Sequence, residues 1–330
     1  MTKGRIFSGM QPSGRFHLGN YMGALENWVR LQHEYECFFS IVDLHALTSS
    51  YSDTSKLQEN VMEMAIDWLS AGLDPEKNVI FVQSHVKEHA ELALLLGMST
   101  PLSWLERVPT YKDKLQNWSA QGKDNNTYGF LGYPVLMAAD IMLYKAGCAP
   151  VGEDQSAHLE LTREIVRRFN YLYNREVFPE PQAVFSKAKV FPGIDGRKMS
   201  KSYGNTIPFG AGPEEMWERI RMMTTDPQRI KKTDPGHPEV CIVYAFHKVF
   251  NPEEYEEIGA RCRAGEIGCV ECKKRLAEKM NALLADIHTK REELSKKPEY
   301  IKEVLDYGAQ RARKEAEKTM AEVKTAMNVL

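Results

Sequence analysis

Length, composition and charge place the chain among globular proteins. It has 330 residues, 43% hydrophobic and 27% charged, which is enough for a large core and more than one domain. The formal net charge of −2 excludes indiscriminate adhesion to nucleic acid, so a polyanionic partner must be met by local basic patches. No apolar run reaches the ~18 residues of a membrane span, and the start lacks a signal-peptide core. We therefore expect a cytoplasmic chain with no membrane partner.

The chain opens with a strand-like run that a turn interrupts at once. Residues Arg5 to Ser8 predict a short strand, and "SGMQPSGRFHLGN" separates it from the helix-like "NYMGALENW". A strand, a glycine-containing turn and a helix start expose backbone N–H groups on which an anion can sit. The pattern therefore predicts an anion site at the end of the first strand.

Two further runs predict buried strands, "CFFSIVDLHAL" (Cys37 to Leu47) and "NVIFVQS" (Asn78 to Ser84). Between them, apolar residues recur at the helical spacing of Leu57, Val61, Met64 and Trp68, and Gly72 ends this helix. Strand, helix and strand in this order predict a parallel sheet, with ligands bound beyond the carboxyl ends of its strands. The fold class is therefore α/β.

Past Ile207 the strand signals fade, and charged helical patterns dominate from Pro213 onwards. We predict a Rossmann-like catalytic domain at residues 1–207 and a helical domain at residues 208–330. The last helix carries one stripe of small and apolar residues, which predicts that it packs back on the protein: Ala309, Ala312, Ala316, Met320, Val323 and Met327.

A second unusual stretch is "GIDGRKMSKSYGN", a glycine-rich loop with two lysines. Lys198 and Lys201 can neutralise charge that builds up on a departing pyrophosphate, while His17 and the first turn hold the phosphate under attack. Each stretch alone is more often a plain helix start or a solvated basic loop. Their combination favours a nucleotide-activating enzyme.

At these residues the chain resembles class I aminoacyl-tRNA synthetases. "HLGN" is similar to the HIGH signature, with Asn20 at its fourth position, and "KMSKS" is the second signature unaltered. The stretches "IVDLHALT", "LERVPTYKDK", "GYPVLMAADIMLY" and "APVGEDQ" resemble the bacterial tryptophanyl-tRNA synthetases in order and spacing. The resemblance implies that the amino-acid carboxylate attacks the α-phosphate of ATP and that the aminoacyl group is then transferred to the terminal ribose of tRNA(Trp).

The resemblance also assigns residues to this chemistry. His17, Asn20, Lys198 and Lys201 are implied to be catalytic, and Mg²⁺ is expected on the phosphates without a dedicated carboxylate cage. Lys112 and Lys114 are weaker candidates for a second phosphate arm. The ATP site is implied to comprise Gln11, Pro12, Ser13, Gly19, Asn20, Gly152, Glu153, Asp154, Val190, Lys198, Met199, Ser200, Lys201 and Ser202.

Tyr133, Met137 and Asp140 fall at steps of four and three and so share one helix face. Indole is a flat apolar body with one N–H donor, for which Asp140 is a suitable acceptor. For Asp140 alone, the simpler interpretation is a partly buried helix aspartate paired with a lysine or arginine. The resemblance adds Phe7 and Met137 around the ring, Tyr133 and Gln155 at the ammonium group, and His45 close by.

Four of the six cysteines lie in the charged helical region, and their spacing suits a four-thiolate metal site: Cys241, Cys262, Cys269 and Cys272. The spacing alone fits zinc or a 4Fe-4S cluster. The resemblance favours the 4Fe-4S cluster, which a subset of the bacterial enzymes carries in the anticodon-facing domain. It also implies a homodimer formed through a segment at about residues 104–144.

Three other functions remain open from the sequence: a tyrosyl enzyme of the same subclass, a small-molecule adenylyltransferase, and an RNA-binding regulator without activity. The apolar wall around Met137 counts against a phenol-binding site. The unaltered KMSKS sequence and the helical tail count against a small-molecule adenylyltransferase.

Overall fold

The structure, a computed structural model, describes residues 3–120, 122, 125–152, 155–185 and 191–329. In these ranges the chain forms a five-stranded sheet in the order β3-β2-β1-β4-β5, and every pairing is parallel. The strands are β1 (Arg5–Met10), β2 (Glu36–Ile41), β3 (Val79–Val82), β4 (Cys148–Val151) and β5 (Gln182–Phe185). The α/β prediction is confirmed.

The helices of the first half fill the crossovers between strands. After β1 come α1 (Leu18–Asn20), a π-helical turn (Tyr21–Leu25) and α2 (Glu26–Leu31), which follow one another without a break. The others are α3 (Asp43–Ser50), α4 (Leu57–Ser70), α5 (Glu88–Gly97), α6 (Leu102–Glu106), α7 (Pro109–Ala120), α8 (Tyr128–Leu143) and α9 (Ser156–Leu172).

The second half is helical in the residues described after β5. It comprises α10 (Pro213–Arg221), α11 (Ile242–Phe250), α12 (Tyr255–Arg263), α13 (Cys269–Ser295) and α14 (Pro298–Met327). Within the described ranges, no helix combines the length and the apolar content needed to cross a membrane.

The sheet separates two hydrophobic cores because successive side chains point to opposite faces. Phe39 and Ile80 belong to the core that also holds Trp28 and Trp68. Phe38 and its neighbours belong to the core beneath α8, α9 and the end of α14. The sheet is thus covered on both faces, as its uninterrupted apolar strands require.

The last helix lies directly on the edge strand β3. A Cβ atom at Gly308 would overlap the carbonyl oxygen of Ile80, so only glycine allows the helix backbone this close to the strand. Five of the six residues in the predicted stripe are buried, namely Ala309, Ala312, Ala316, Met320 and Val323. The prediction that this face packs on the protein is confirmed.

Two strand predictions extend too far. β2 ends at Ile41, and Asp43 begins a helix because its Oδ1 accepts hydrogen bonds from the backbone N–H groups of Leu44 and Ser84, each at 3.0 Å. β3 likewise ends at Val82, before a 3-10 turn. Both errors fall at the carboxyl edge of the sheet, where side chains turn away from the ladder.

Candidate active site

A cavity of about 380 Å³ opens at the carboxyl ends of the central strands. The end of β1 supplies Phe7 to Gln11, the loop after β4 supplies Gly152 and Gln155, and α8 supplies one face. The size is suitable for a small ligand. Nine residues predicted from the sequence line this one cavity: Phe7, Gln11, His45, Lys114, Tyr133, Met137, Asp140, Gly152 and Gln155.

Asp140 is the acceptor at the closed end of the cavity, 2% exposed. Its Oδ2 accepts from Nε2 of His45 at 3.0 Å, and its Oδ1 accepts from Nδ1 of His89 at 2.7 Å. The side-chain amide of Gln83 donates to both oxygens, at 2.7 and 3.0 Å. Two histidines and a glutamine, rather than a lysine or arginine, hold this buried carboxylate.

These contacts fix the charge of Asp140. Burial alone raises its pKa, but the contacts with His89 and His45 outweigh burial and bring the pKa to about 2. Asp140 is therefore ionised at neutral pH and acts only as an acceptor.

Tyr133 lies on the same helix, α8, and its hydroxyl lies 2.7 Å from Nε2 of His158. Burial raises the pKa of Tyr133 to about 12, so the hydroxyl keeps its proton. Lys114 also lines the cavity, with its Nζ 6.0 Å from the centre of the Tyr133 ring. Burial lowers the pKa of Lys114. Lys112 is exposed on the same helix and does not line the cavity.

The HLGN signature begins at His17, which caps the first helix. The backbone N–H of Asn20 donates to Nδ1 of His17 at 3.3 Å, and the Asn20 Oδ1 accepts from the His17 backbone at 3.2 Å. Because Nδ1 is an acceptor, a neutral His17 carries its proton on Nε2. Burial, with the positive charge of Lys201 adding to it, lowers the pKa of His17 to about 4. His17 is thus a neutral donor.

The KMSKS loop is docked on the first turn. Lys201 Nζ donates to the carbonyl oxygen of Gly14 at 2.9 Å and to Ser13 Oγ at 3.4 Å. The sulfur of Met199 accepts from the backbone N–H of Gly19 at 3.2 Å. Burial lowers the pKa of Lys201 to about 8. The two signatures, about 180 residues apart in sequence, therefore meet at one place.

The loop owes its shape to Asn205 and Gly193. Asn205 accepts from the backbone of Ser200 at 2.8 Å and donates to Asp195 at 2.7 Å and to the Lys198 carbonyl at 3.1 Å. A Cβ at Gly193 would lie 2.3 Å from the Asn205 amide, so glycine is required there. Ser200 and Ser202 hydroxyls lie 2.9 Å apart within the loop.

Not every predicted residue can be placed. Pro12 and Ser13 line a neighbouring groove rather than the main cavity. Glu153, Asp154 and Val190 lie outside the described residues, so their predicted roles stay predictions.

The four cysteines of the helical region come from three neighbouring elements. Cys241 precedes α11, Cys262 lies on α12, and Cys269 and Cys272 lie in the first turn of α13. The pKa of Cys272 is raised to about 12 by burial first and then by the other three thiols, so the four sulfurs share one electrostatic environment. Nowhere in the described ranges do three or more His, Cys, Asp or Glu side chains form a ready metal-binding group.

Two positive groups and a histidine border these thiols. Arg229 Nη1 lies 3.6 Å from the sulfur of Cys262, and His247 Nε2 lies 3.5 Å from the sulfur of Cys272. Burial lowers the pKa of Lys273, and the nearby thiols act on this pKa in the opposite direction: Cys269, Cys241 and Cys272.

Sequence reasoning missed the residues around Asp140. Gln83 follows β3 directly, so the rule that ligand groups follow parallel strands is a signal that points to it. His89 and His158 sit inside ordinary helical patterns, and nothing in the sequence distinguishes them from core histidines.

Comparison with known proteins identifies the family of the chain. The chain matches the family of tRNA synthetases class I (W and Y) over residues 2–285. A tryptophan–tRNA ligase of Thermotoga maritima is 52% identical over 329 residues, covering 99% of each chain. That of Aquifex aeolicus is 44% identical, over 98% of this chain and 100% of the relative. The crystal structure of tryptophanyl-tRNA synthetase from Campylobacter jejuni, complexed with ADP and tryptophan, has a TM-score of 0.90 and 38% identity, covering 98% of this chain and 100% of that one.

The chain therefore belongs to the class I tRNA synthetases of the tryptophan and tyrosine group. Within that group it belongs with the tryptophan–tRNA ligases.

Proposed function

We propose that the chain activates L-tryptophan with ATP and transfers it to tRNA(Trp), dividing recognition and chemistry between the two ends of one site. The observation that supports this most is the buried, ionised Asp140 in a cavity that Phe7 and Met137 also line. Such a cavity offers an apolar slot and one acceptor, which match the flat ring and the single N–H of indole.

In the first step, a carboxylate oxygen of tryptophan attacks the α-phosphorus of ATP. The bond to the β-phosphate oxygen breaks, and pyrophosphate leaves with the electron pair. His17, with its proton on Nε2, donates to the phosphate under attack, and Lys198 and Lys201 neutralise the leaving group. No protein nucleophile is needed, because positioning and charge stabilisation supply the catalysis.

In the second step, the terminal ribose hydroxyl of tRNA attacks the acyl carbon and AMP leaves. Tyr133 and Gln155, which both line the cavity, hold the ammonium group of tryptophan throughout. Gln11, Gly19 and Asn20 hold the nucleotide.

Mg²⁺ bound to the phosphates neutralises part of their charge. Among the described residues that line the cavity, Asp140 is the one carboxylate, and it lies at the indole end. The donor set therefore fits an ion held by phosphates and water rather than by a protein cage.

The decisive experiment is ATP–pyrophosphate exchange driven by each amino acid in turn, followed by transfer to tRNA(Trp). We expect exchange with tryptophan alone. Exchange driven by tyrosine would indicate the tyrosyl enzyme, and tRNA binding with no exchange would indicate a regulator. Exchange with no transfer to tRNA would indicate a small-molecule adenylyltransferase.

We further propose a homodimer, working in the cytoplasm, that pairs through the face around α5 to α8. Leu94, Leu102 and Tyr128 are 56%, 62% and 82% exposed, and they line one apolar groove. Exposed apolar groups concentrated in this way are typical of a subunit interface. Sedimentation at micromolar concentration tests the proposal: Tyr128→Asp should give monomers, and a monomeric wild-type chain would contradict it.

We also propose that the four cysteines bind a 4Fe-4S cluster in a helical, anticodon-facing domain at residues 208–330. Four thiolates suit iron–sulfur chemistry, and such a cluster is anionic. Arg229 and Lys273 beside the sulfurs suit an anionic centre. In the absence of metal, burial raises the pKa of Cys241, Cys262 and Cys272, so binding must release protons. The cluster would supply structural support for the helical domain.

Metal analysis of anaerobically purified protein tests this proposal. We expect brown protein with roughly four irons per chain and a visible thiolate-to-iron band. Cys269→Ser should lose the metal and keep tryptophan-dependent exchange, whereas Cys148→Ser, in β4, should keep both. Colourless protein with one zinc would overturn the cluster and retain the site.

A further inference from the structure

Two buried side chains that do not line the cavity stand behind Asp140. Nδ1 of His89 lies 2.7 Å from Asp140 Oδ1, and Nε2 of the same ring lies 2.7 Å from the Tyr144 hydroxyl. His89 and Tyr144 are both 0% exposed. They form a continuous chain of hydrogen bonds that ends on the proposed indole acceptor.

The direction of these bonds follows from what each end can do. Ionised Asp140 accepts only, so Nδ1 of His89 must donate to it. Among the described residues, the Tyr144 hydroxyl has no hydrogen-bond partner except His89, so its proton points at Nε2. The imidazole is then neutral with its proton on Nδ1. A buried cationic ring would instead leave the tyrosine proton without an acceptor, which is costly.

The ring of Tyr144 also supports the apolar part of the cavity. It stacks on Phe7 with ring centres 5.6 Å apart and an interplanar angle of 7°. It also stacks on Phe38, with ring centres 4.5 Å apart and an interplanar angle of 23°. Tyr144 therefore contacts the ring proposed to hold the indole face and, through His89, the carboxylate proposed to bind the indole N–H.

We propose that Tyr144 and His89 are positioning residues that set tryptophan specificity, by keeping Asp140 an ionised, fixed acceptor in register with the Phe7 ring. The inference rests on the proposed function, in which Asp140 accepts from the indole N–H. A buried acceptor left unpaired penalises a ligand that lacks the donor, so the rigidity of Asp140 determines the rejection of such ligands.

The hydroxyl of Tyr144 is the element that can be removed on its own. In Tyr144→Phe the stack on Phe7 remains, but no hydroxyl donates to Nε2 of His89. His89 can then present an unprotonated nitrogen to Asp140. Asp140 therefore becomes easier to protonate. Two other titratable groups face this site. His45 from α3 contacts Asp140, and burial, together with the charge of Glu88 from α5, raises the pKa of Tyr144. Neither contacts Nε2 of His89, so neither replaces the lost hydroxyl.

The experiment measures tryptophan-dependent exchange for Tyr144→Phe and His89→Gln between pH 5 and pH 8. We expect KM for tryptophan to rise about tenfold, with kcat and KM for ATP within twofold of wild type. The acid limb of kcat/KM should move to higher pH. Preference for tryptophan over 3-benzothienylalanine, in which sulfur replaces the N–H, should fall about tenfold. Tyr171→Phe, at an exposed position, is the matched control and should change nothing.

Asp140→Asn measured alongside separates the two claims. If it impairs tryptophan use while Tyr144→Phe and His89→Gln behave as wild type, the further inference is wrong and the role of Asp140 stands. If Asp140→Asn also behaves as wild type, both the further inference and the proposed role of Asp140 are wrong.

The wild-type protein offers a test that does not depend on the folding of variants. Correlation spectra of ¹⁵N-labelled histidine, with His89 assigned by its loss in His89→Gln, report which nitrogen carries the proton. We expect the Nδ1–H form, and an Nε2–H or cationic ring would overturn the inference.

Discussion

The proposed site has an indole end around Asp140 and a phosphate end around Lys201, and the two ends are built in opposite ways. At the indole end, Asp140 is 2% exposed, and three side chains from three different elements hold both of its oxygens. At the phosphate end, Lys201 is half-buried and reaches the first turn through one short hydrogen bond and one long one. The recognition group is fixed before the substrate arrives, whereas the charged group lies on a loop that can be released.

The difference follows from what each end must do. Selecting one amino acid requires an acceptor that cannot adapt to the wrong ligand. Stabilising a leaving pyrophosphate requires charges that act most strongly in the transition state and then let the product go. A rigid phosphate end would bind ATP and pyrophosphate alike.

The largest expected effect is at the phosphate end. Lys201→Ala should slow adenylate formation by about 10²–10³-fold while weakening ground-state ATP binding much less, because its charge opposes the charge that develops on pyrophosphate. Lys198→Ala should act in the same direction. Single-turnover kinetics measures both terms, and Lys314→Ala, on the exposed face of α14, serves as control. Weaker ATP binding with an intact chemical rate would make these lysines ground-state binding residues.

The next effect is at the indole end. Asp140→Asn should lower kcat/KM for tryptophan by about ten- to a hundredfold, since losing a buried hydrogen-bond partner typically costs ~1–3 kcal/mol. KM for ATP should stay within twofold. Equal losses for both substrates would mean that Asp140 supports the fold of the whole site, and the contrast between the two ends would not hold.

The ends should also differ in their dependence on pH. The folded-state pKa of Lys201 is lowered to about 8, so its charge is present below that pH and is lost as pH rises through it. We expect kcat/KM for ATP to fall about tenfold per pH unit above pH 8. Lys201→Arg keeps the charge and should move this limb upwards. A limb that stays in place in Lys201→Arg would assign it to another group.

The smallest effect concerns the helix cap that presents His17. Asn20→Ala removes the oxygen that accepts from the His17 backbone, which should lower the free energy of unfolding by about 1 kcal/mol. Asn20→Asp keeps an acceptor at this position and should recover most of the loss. Urea unfolding measures both variants. Equal stability of Asn20→Ala and wild type would mean that the turn is held by the docked KMSKS loop instead.

The sequence predicts the two ends unequally. The phosphate end is carried by short contiguous motifs, so Lys201 and His17 are identified from the residues alone. At the indole end, helical spacing identifies Met137 and Asp140, because positions three and four apart share a face. His89 and Tyr144 are not predicted, because only the packing of α5 against α8 brings them to Asp140.

Local chemistry explains the remaining differences. Asp43 begins a helix inside an apolar run that predicts strand, because its carboxylate satisfies N–H groups from two elements. The role of His17 as a helix cap is likewise absent from the pattern, since histidine is not among the residues that usually cap helices.

The contact of Gly308 with Ile80 ties a helix made late in synthesis to a strand made earlier. Until α14 leaves the ribosome, the outer edge of β3 offers unpaired backbone groups to any other extended chain. A protein that stops short of this helix, through premature termination or proteolysis, has the motifs of the active site but an open sheet edge. Such fragments should aggregate rather than persist as partly active enzyme.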